Sequence, residues 1–169
     1  MDHIEALRIE PISKSHIRKY FKCNKNSLAD YLHQHARQND DRNIAKTFVA
    51  VDGNNKVLGY YSLSTSSLEF EQLTEEQTKH LPRYPIPAAL IARLAVDSGT
   101  EGSGLGSRLL IDALQRILAV SQELAIKVIL VDAIDEEAKG FYLHFGFIEL
   151  PSHEKKLFLP IETIEELLV

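Results

Sequence analysis

The sequence predicts an α+β domain whose sheet is mixed, mostly antiparallel, with one parallel strand pair in its middle. Three observations carry this. Asp52-Gly-Asn-Asn55 separates two apolar runs, Thr47–Val51 and Val57–Leu63, which is the pattern of a β-hairpin. From Leu90 to Val131 the chain reads strand, helix, strand, and such a crossover requires parallel strands and right-handed passage. Two short strands then follow a helix. The full order reads β-α-α-β-β-α-β-α-β-α-β-β, with a short acidic helix, Ile161 to Leu168, at the end.

Leu7 to Ile12 reads as the first strand, ended by Pro11. Ser13 or Ser15 caps a predicted helix from His16, where Ile17, Tyr20 and Phe21 fall at helical spacing. After a break at Asn24–Asn26, Ser27 caps a second helix, Leu28 to Arg37. Gln38 to Asn43 reads as a polar loop. Beyond the hairpin, Ser64 to Ser67 closes the second strand with hydroxyls. Thr74 caps a helix within Glu69 to Leu81, with three acidic or amide residues in its first turn. Leu81-Pro-Arg-Tyr-Pro-Ile-Pro-Ala88 is stiff and extended, because three prolines fix φ and remove donors. It leads into Leu90–Val96, an apolar run interrupted only by Arg93. Leu109, Leu110, Ala113, Leu114, Ile117 and Leu118 keep the helical period. Ile126 to Val131 is a second buried strand and Glu136 to His144 a further helix. Phe147–Leu150 and Lys156–Leu159 are the last strands, joined by Pro151 to Lys155.

A length of 169 residues points to one domain, 1–169, large enough for a real core. No apolar run approaches the ~20 residues that span a bilayer. Met1-Asp-His-Ile-Glu lacks a basic segment followed by an apolar one, so no signal peptide is expected. Cys23 is the only cysteine, which excludes an internal disulfide and fits a reducing cytoplasm. One cysteine and seven histidines without helical i, i+4 pairing build no metal site. No Ser/His/Asp constellation stands out, and Cys23 has no histidine or acid placed beside it by spacing.

The net charge of −5 argues against a nucleic-acid partner, but its distribution qualifies that. Residues 1–50 hold nine basic side chains against six acidic, a net of +3, which leaves −8 for the rest. Lys14, Arg18, Lys19, Lys22 and Lys25 follow one another with no acid between them. Such a run is either a solvated face or a local docking surface for RNA phosphates.

The stretch with the most chemistry is Asp97 to Ser107. Gly102, Gly104 and Gly106 alternate and open directly into a helix. Glycines let a backbone approach a ligand closely, and a helix start leaves N–H donors unpaired. Together with the helix dipole these suit a phosphate or pyrophosphate. The register is not that of a dinucleotide fingerprint, since Ser107 stands at the sixth position from Gly102. It is not a Walker A loop either, since Gly106-Ser107-Arg108 lacks the lysine. On the residues alone, a glycine-rich turn without a ligand remains the other reading.

Glu101-Gly-Ser-Gly-Leu-Gly106 resembles the Q/R-x-x-G-x-G/A loop of the GNAT N-acetyltransferases, with Glu101 in place of Gln or Arg. Ala138-Lys-Gly-Phe-Tyr-Leu-His-Phe-Gly-Phe147 resembles the family's second signature, A-x-x-F-Y-x-x-x-G-F. The element order is similar to the GNAT order throughout. The resemblance implies the GNAT fold, with helices on both faces of the sheet and the parallel pair at the acetyl-CoA site. It implies acetyl-CoA as co-substrate, held through Leu94, Ala95 and Val96 along the pantetheine arm and through Gly102, Ser103, Gly104, Leu105, Gly106 and Ser107 at the pyrophosphate. It puts Asp135 against the pantetheine arm. It makes Tyr142 the general acid, because a phenol is protonated at neutral pH and can donate to a leaving thiolate.

A narrower resemblance covers Phe21-Lys-Cys23, Leu28-Ala-Asp-Tyr-Leu32, Ala36-Arg-Gln38, Val57–Ser64, Leu81–Ala88 and Arg93-Leu-Ala-Val-Asp97. These segments are similar to the GNAT toxins of bacterial toxin–antitoxin modules. Those enzymes acetylate the α-amine of aminoacyl-tRNA and block translation, and a ribbon-helix-helix antitoxin neutralises them. Asn24, Ser103 and Ser107 depart from that group's usual residues, and the acidic balance departs from its usual basic one. The toxin reading makes Lys19, Lys22, Arg83, Tyr84 and Arg93 the substrate-binding residues, with Tyr84 stacking on the terminal base. The expected partners are an aminoacyl-tRNA, an antitoxin and a second copy of the chain, in the cytoplasm and without a membrane. Two other readings stay open from sequence. One is a GNAT enzyme acting on a small amine or a protein amine, and the other a non-catalytic member that binds coenzyme A or a partner.

Overall fold

The computed structural model describes residues 6–151 and 153–168. The signal-peptide reading of Met1–Glu5, with Asp2, His3 and Glu5, lies outside them. The elements are β1 (Arg8–Pro11), α1 (Asn26–Gln34), α2 (Ala36–Asp41), β2 (Lys46–Val51), β3 (Val57–Leu68), α3 (Glu75–Thr78), β4 (Ile86–Val96), α4 (Leu105–Val120), β5 (Val128–Asp132), α5 (Glu136–His144), β6 (Ile148–Leu150), β7 (His153–Pro160) and α6 (Ile161–Leu167). The strands hydrogen-bond in the order β1-β2-β3-β4-β5-β7-β6, and β4 with β5 is the parallel pair. This is the mixed, mostly antiparallel α+β architecture that the element order predicts. No helix among the described residues is long and apolar enough to cross a membrane. The chain forms two compact units, Met1–Ser64 with Ala92–Leu114, and Thr65–Ile91 with Gln115–Val169.

In the first unit β1, β2 and β3 form an antiparallel meander in which Ile9 pairs with Ala50 and Val49 with Tyr60. The Asp52 carboxylate closes the hairpin by accepting the N–H groups of Asn54 and Lys56 at 2.9 and 3.0 Å. Tyr31 and Leu32 of α1 bury against Val49, Val57 and Tyr60. Thr47 and Ser62, both fully buried, satisfy each other at 2.8 Å, so the polar pair costs little.

Two expectations fail here. No helix forms from His16. The His16 imidazole turns back instead, accepting the Ser13 N–H on Nδ1 at 3.0 Å and meeting the Glu10 carboxylate through Nε2 at 2.7 Å. Ile17 then exchanges backbone hydrogen bonds with the hairpin, its N–H donating to Asn55 and its carbonyl accepting from Val57. The segment is therefore an extended strap, because its backbone donors find partners outside a helix. The acid–histidine–serine grouping is a turn lock. The Nδ1 lone pair is taken by a backbone N–H, and the Ser13 hydroxyl stands 3.5 Å away. The second failure concerns the helix at Leu28. Lys25, not Ser27, stands at the cap, and the helix breaks at His35. It resumes as α2 through most of the expected polar loop. There the Asp40 carboxylate accepts the Thr47 N–H at 2.9 Å, which ties the second helix to β2.

In the second unit β5 lies between β4 and β7, with Leu90 opposite Leu130, Leu130 opposite Phe158 and Asp132 opposite Lys156. Leu68, Ile86, Ala88, Val128, Leu150 and Phe158 form its core. Thr74 and Gln77 make the reciprocal capping box of α3. Three strands run well past their expected bounds, β4 among them, since it begins at Ile86 and not at Leu90. The Ser64–Ser67 stretch continues β3 to Leu68, and β7 starts at His153.

Candidate active site

In the first unit the end of β4 runs into the glycine loop. The Asp97 carboxylate accepts the Gly99 N–H and the Lys22 N–H, each at 2.9 Å, and its own N–H donates to the Leu58 carbonyl at 2.8 Å. Ser98–Thr100 make one 3-10 turn, and the Ser103 hydroxyl donates to the Thr100 carbonyl. Gly102 and Gly104 hold φ of +76° and +88°, a region that costs other residues strain. Nothing lies within 4 Å of a Cβ built on either. These glycines therefore serve the path of the backbone, not close packing.

Arg108 donates its N–H to the Gly104 carbonyl at 3.1 Å as α4 begins. The N–H groups of Leu105, Gly106 and Ser107 fall in the first turn, where a helix supplies no acceptor. Leu105 is buried beneath them and fixes the turn. The donors and the dipole of this 16-residue helix are suited to hold an anion. Leu94, Ala95 and Val96 lie beyond Ile91, the last residue of β4 that pairs with β5.

Gly59 on β3 is the residue that sequence reading missed. A Cβ there would meet Leu109 Cδ1 at 2.9 Å and the Ala95 carbonyl and Leu105 Cδ2 at 3.2 Å. The bare backbone of Gly59 thus lets the first turns of α4 settle on the strand. A glycine inside an apolar strand is the available signal for such an approach.

Beside the loop, Lys22 is tied to Asp97 and Ser98 through its backbone, and its side chain is exposed. His16, Arg18, Lys19 and His33 line a concave surface nearby. Arg18 Nη1 donates to the Leu32 carbonyl at 2.8 Å. Burial and the neighbouring Arg37 hold its pKa below the usual guanidinium value. Among the described residues, Arg18, Lys19, Lys22 and Arg37 have no ion-pair partner. Arg93 does not pair with an acid either. Its guanidinium lies 3.7 Å from the centre of the Tyr31 ring, which stacks on Tyr60. The Tyr60 hydroxyl donates to the Leu28 carbonyl at 2.6 Å, and burial pushes its pKa far up against the opposing charge of Arg93.

The second unit carries Tyr142, Asp135, Arg83 and Tyr84. Tyr142 is 6% exposed, with its ring edge-on to Phe141 and Phe147 at 5.2 and 5.4 Å. Burial pushes its phenol well above the ordinary value. Among the described residues its hydroxyl has no hydrogen-bond partner. Asp135 caps α5 by accepting the Ala138 N–H at 2.9 Å. Arg83 lies 5.4 Å from the centre of the Phe70 ring, and Tyr84 is 72% exposed. Among the described residues no three His, Cys, Asp or Glu side chains gather to hold a metal ion.

Residues 43–149 match the family model described as the acetyltransferase (GNAT) domain. A tRNA-acetylating toxin of Mycobacterium tuberculosis is 34% identical over 149 residues, covering 88% of each chain. A probable toxin TacT of Sinorhizobium fredii is 31% identical over 95% of this chain and 94% of its own. Among solved structures, a tyrosine-to-phenylalanine mutant of KacT superimposes with a TM-score of 0.92 at 32% identity, covering 96% of this chain and 99% of its own. AtaT complexed with acetyl-methionyl-tRNAfMet superimposes with a TM-score of 0.90 at 29% identity, with the same coverage. A tyrosine-to-phenylalanine mutant of the AtaT toxin, bound to the C-terminus of the antitoxin AtaR and acetyl-CoA, gives 0.83 at 27% identity, covering 97% and 99%. This chain belongs to the GNAT acetyltransferase family, alongside the tRNA-acetylating toxins.

Proposed function

We propose that the protein is a toxin that moves the acetyl group of acetyl-CoA onto the α-amine of aminoacyl-tRNA and so blocks translation. The observation that carries this is the likeness over nearly the whole chain to a tRNA-acetylating toxin, with the family's glycine loop opening α4. In this reading the first-turn N–H groups at Leu105, Gly106 and Ser107, with the loop from Gly102 to Gly104, hold the pyrophosphate of acetyl-CoA. Leu94 to Val96, beyond the part of β4 that pairs with β5, offer their backbone to the pantetheine arm. Asp135, already the cap of α5, borders that arm.

Transfer needs no nucleophilic side chain. The amine attacks the thioester carbonyl carbon, the C–S bond breaks, and the thiolate leaves with a proton from Tyr142. The amine's surplus proton passes to water, and Tyr142 is reprotonated from solvent. The phenol is protonated at neutral pH, so the proton is in place when the thiolate forms. Arg18, Lys19, Lys22 and Arg37 neutralise phosphates of the acceptor stem, and Arg83 and Tyr84 meet its 3′ end. Arg93 supports this surface by stacking on Tyr31.

The natural setting is the cytoplasm, where charged tRNA resides. A ribbon-helix-helix antitoxin is the expected inhibitor, as AtaT binds the C-terminus of the antitoxin AtaR. A second copy of the chain is the remaining expected partner. Expression of the chain alone and beside a candidate ribbon-helix-helix antitoxin tests the whole reading. Growth should stop only without it, and mass spectrometry of charged tRNA should then find N-acetylated aminoacyl esters. Growth arrest with unmodified charged tRNA would overturn it.

A further inference from the structure

The second unit holds a cavity of about 100 Å³ that none of the roles above uses. It opens where the parallel pair ends. Ile91 and Val131 are the last paired residues of β4 and β5, and the carboxyl ends of parallel strands are where such sheets receive ligands. Its floor is aliphatic, made by Leu68, Leu90, Leu130 and Leu150. Leu90 and Leu130 stand opposite each other on two inner strands, yet both remain partly exposed. A leucine pair in the middle of a sheet is ordinarily covered, so this apolar surface is left for something else to cover.

The rim says what. Asp132 and Lys156 stand opposite each other across β5 and β7, both exposed. Among the described residues neither makes an ion pair or a side-chain hydrogen bond. An apolar floor with one free carboxylate and one free ammonium at its mouth complements a group with an aliphatic side chain, an amine and an anion. Polar hydroxyls at Ser66 and Ser67 complete the mouth. Such a group is an α-amino acid, or an α-aminoacyl ester beside a phosphate. If a heavy-atom group the size of water takes about 30 Å³, the cavity has room for about three or four such groups, a side chain of valine or leucine size.

The cavity is also anchored on the elements that carry the expected acid. Asp132 ends β5 three residues before Asp135 caps the helix of Tyr142. Leu150 ends β6, three residues after the Phe147 that packs on the Tyr142 ring.

We propose that this cavity receives the side chain of the acceptor α-aminoacyl group and selects aliphatic ones, with Asp132 facing the amine and Lys156 the adjoining anion. The inference rests on the acetyltransferase reading above and narrows its substrate. The anion has two sources, the terminal phosphate of an aminoacyl-tRNA or the carboxylate of a free amino acid.

The test uses the full chain with acetyl-CoA and tRNA charged with valine, leucine, glycine, aspartate or lysine, beside the free amino acids. One or two methylene groups in a pocket are worth about tenfold or more in kcat/KM. Valyl and leucyl esters should therefore exceed the others by at least that. Leu130→Phe, which fills the cavity, should erase the preference and leave the KM for acetyl-CoA unchanged. Asp132→Asn alters an exposed carboxylate and spares folding, and should raise the acceptor KM. Acetylation confined to the esters supports the RNA source, and acetylated free valine or leucine supports the other. Equal rates on every charged tRNA, unmoved by both variants, would overturn the proposal and leave the toxin reading standing. No acetylation of any acceptor would overturn both.

Discussion

Tyr142, the proposed proton donor, shows what burial does to a phenol. A phenol enclosed by Phe141 and Phe147 holds its proton more tightly than one in water, because ionisation there would leave a poorly solvated charge. It is a weaker acid, but its full population is protonated at any physiological pH. Tyr142→Phe keeps the ring contacts and removes only the donor. Turnover should fall by about 10²-fold or more, with coenzyme A affinity and melting temperature nearly unchanged. Wild-type turnover in that variant on charged tRNA would take Tyr142 out of the mechanism. The same burial has a thermodynamic consequence, shared with Tyr60. Both folded pKa values lie above that of an unfolded phenol, about 10. Their contribution is thus fully present below that pH and is lost as pH rises beyond it, since the unfolded chain releases these protons first. Urea denaturation from pH 8 to 11.5 should show stability falling above about pH 10. Tyr142→Phe should make that fall shallower, and an unchanged slope would contradict the assigned burial.

At the scale of elements, the loop is placed by the strand beneath it. Gly59 lets Leu105 and Leu109 rest on β3, and Asp97 ties the loop to Leu58 and Lys22. Gly59→Ala forces a methyl group into a space of 2.9–3.2 Å. Overpacking of this kind costs about 1–3 kcal/mol. For a chain of this length the melting temperature should drop by about 2–4 °C per kcal/mol, and coenzyme A should bind more weakly because the cradle shifts. An unaltered melting temperature would mean the helix has slack that the structure does not show. Gly104→Glu acts differently, since it strains a φ of +88° and brings a negative charge to an anion site. Calorimetry should find coenzyme A binding lost, and equal affinities would remove the loop from the site. Much of this was legible from sequence. The hairpin, the Thr74 cap, the glycine loop and the helix of Tyr142 were all placed by local signals of periodicity, capping and turn chemistry. The strap at His16 was not, because Ile17 is held by Asn55 and Val57 of the hairpin, which no local window contains. The α2 helix over Ala36–Asp41 was hidden for a related reason, since its polar residues read as loop until Asp40 is seen to hold the Thr47 N–H. Asp135 was legible in part. Its capping bond to the Ala138 N–H is local and readable, yet only the role implied by the resemblance was read there.

For the molecule as a whole, charge is the property that decides how a large anion is met. The chain is acidic at −5, yet its first 50 residues carry +3. A uniform acidic surface would repel RNA. This one holds Arg18, Lys19, Lys22 and Arg37, none of which makes an ion pair among the described residues. Arg18 is held by the Leu32 carbonyl and Arg37 lies close enough to disfavour its charge, so two cations are kept together at a cost that a bound phosphate would relieve. Each phosphate contact releases condensed counterions, so binding should weaken as salt rises, with a slope set by the number of contacts. The kcat/KM for charged tRNA should therefore fall steeply between 50 and 200 mM salt. Lys19→Ala or Lys22→Ala should weaken binding at low salt, and each should lower the logarithmic slope by about one. Neither should change the KM for acetyl-CoA, whose proposed cradle uses backbone donors. Distant acidic residues act only through a screened field, because at physiological salt the Debye length is about 8 Å. The local patch should thus outweigh the net charge. If turnover is indifferent to salt and to both lysines, the acceptor does not dock on this strap, and the patch is an ordinary solvated face.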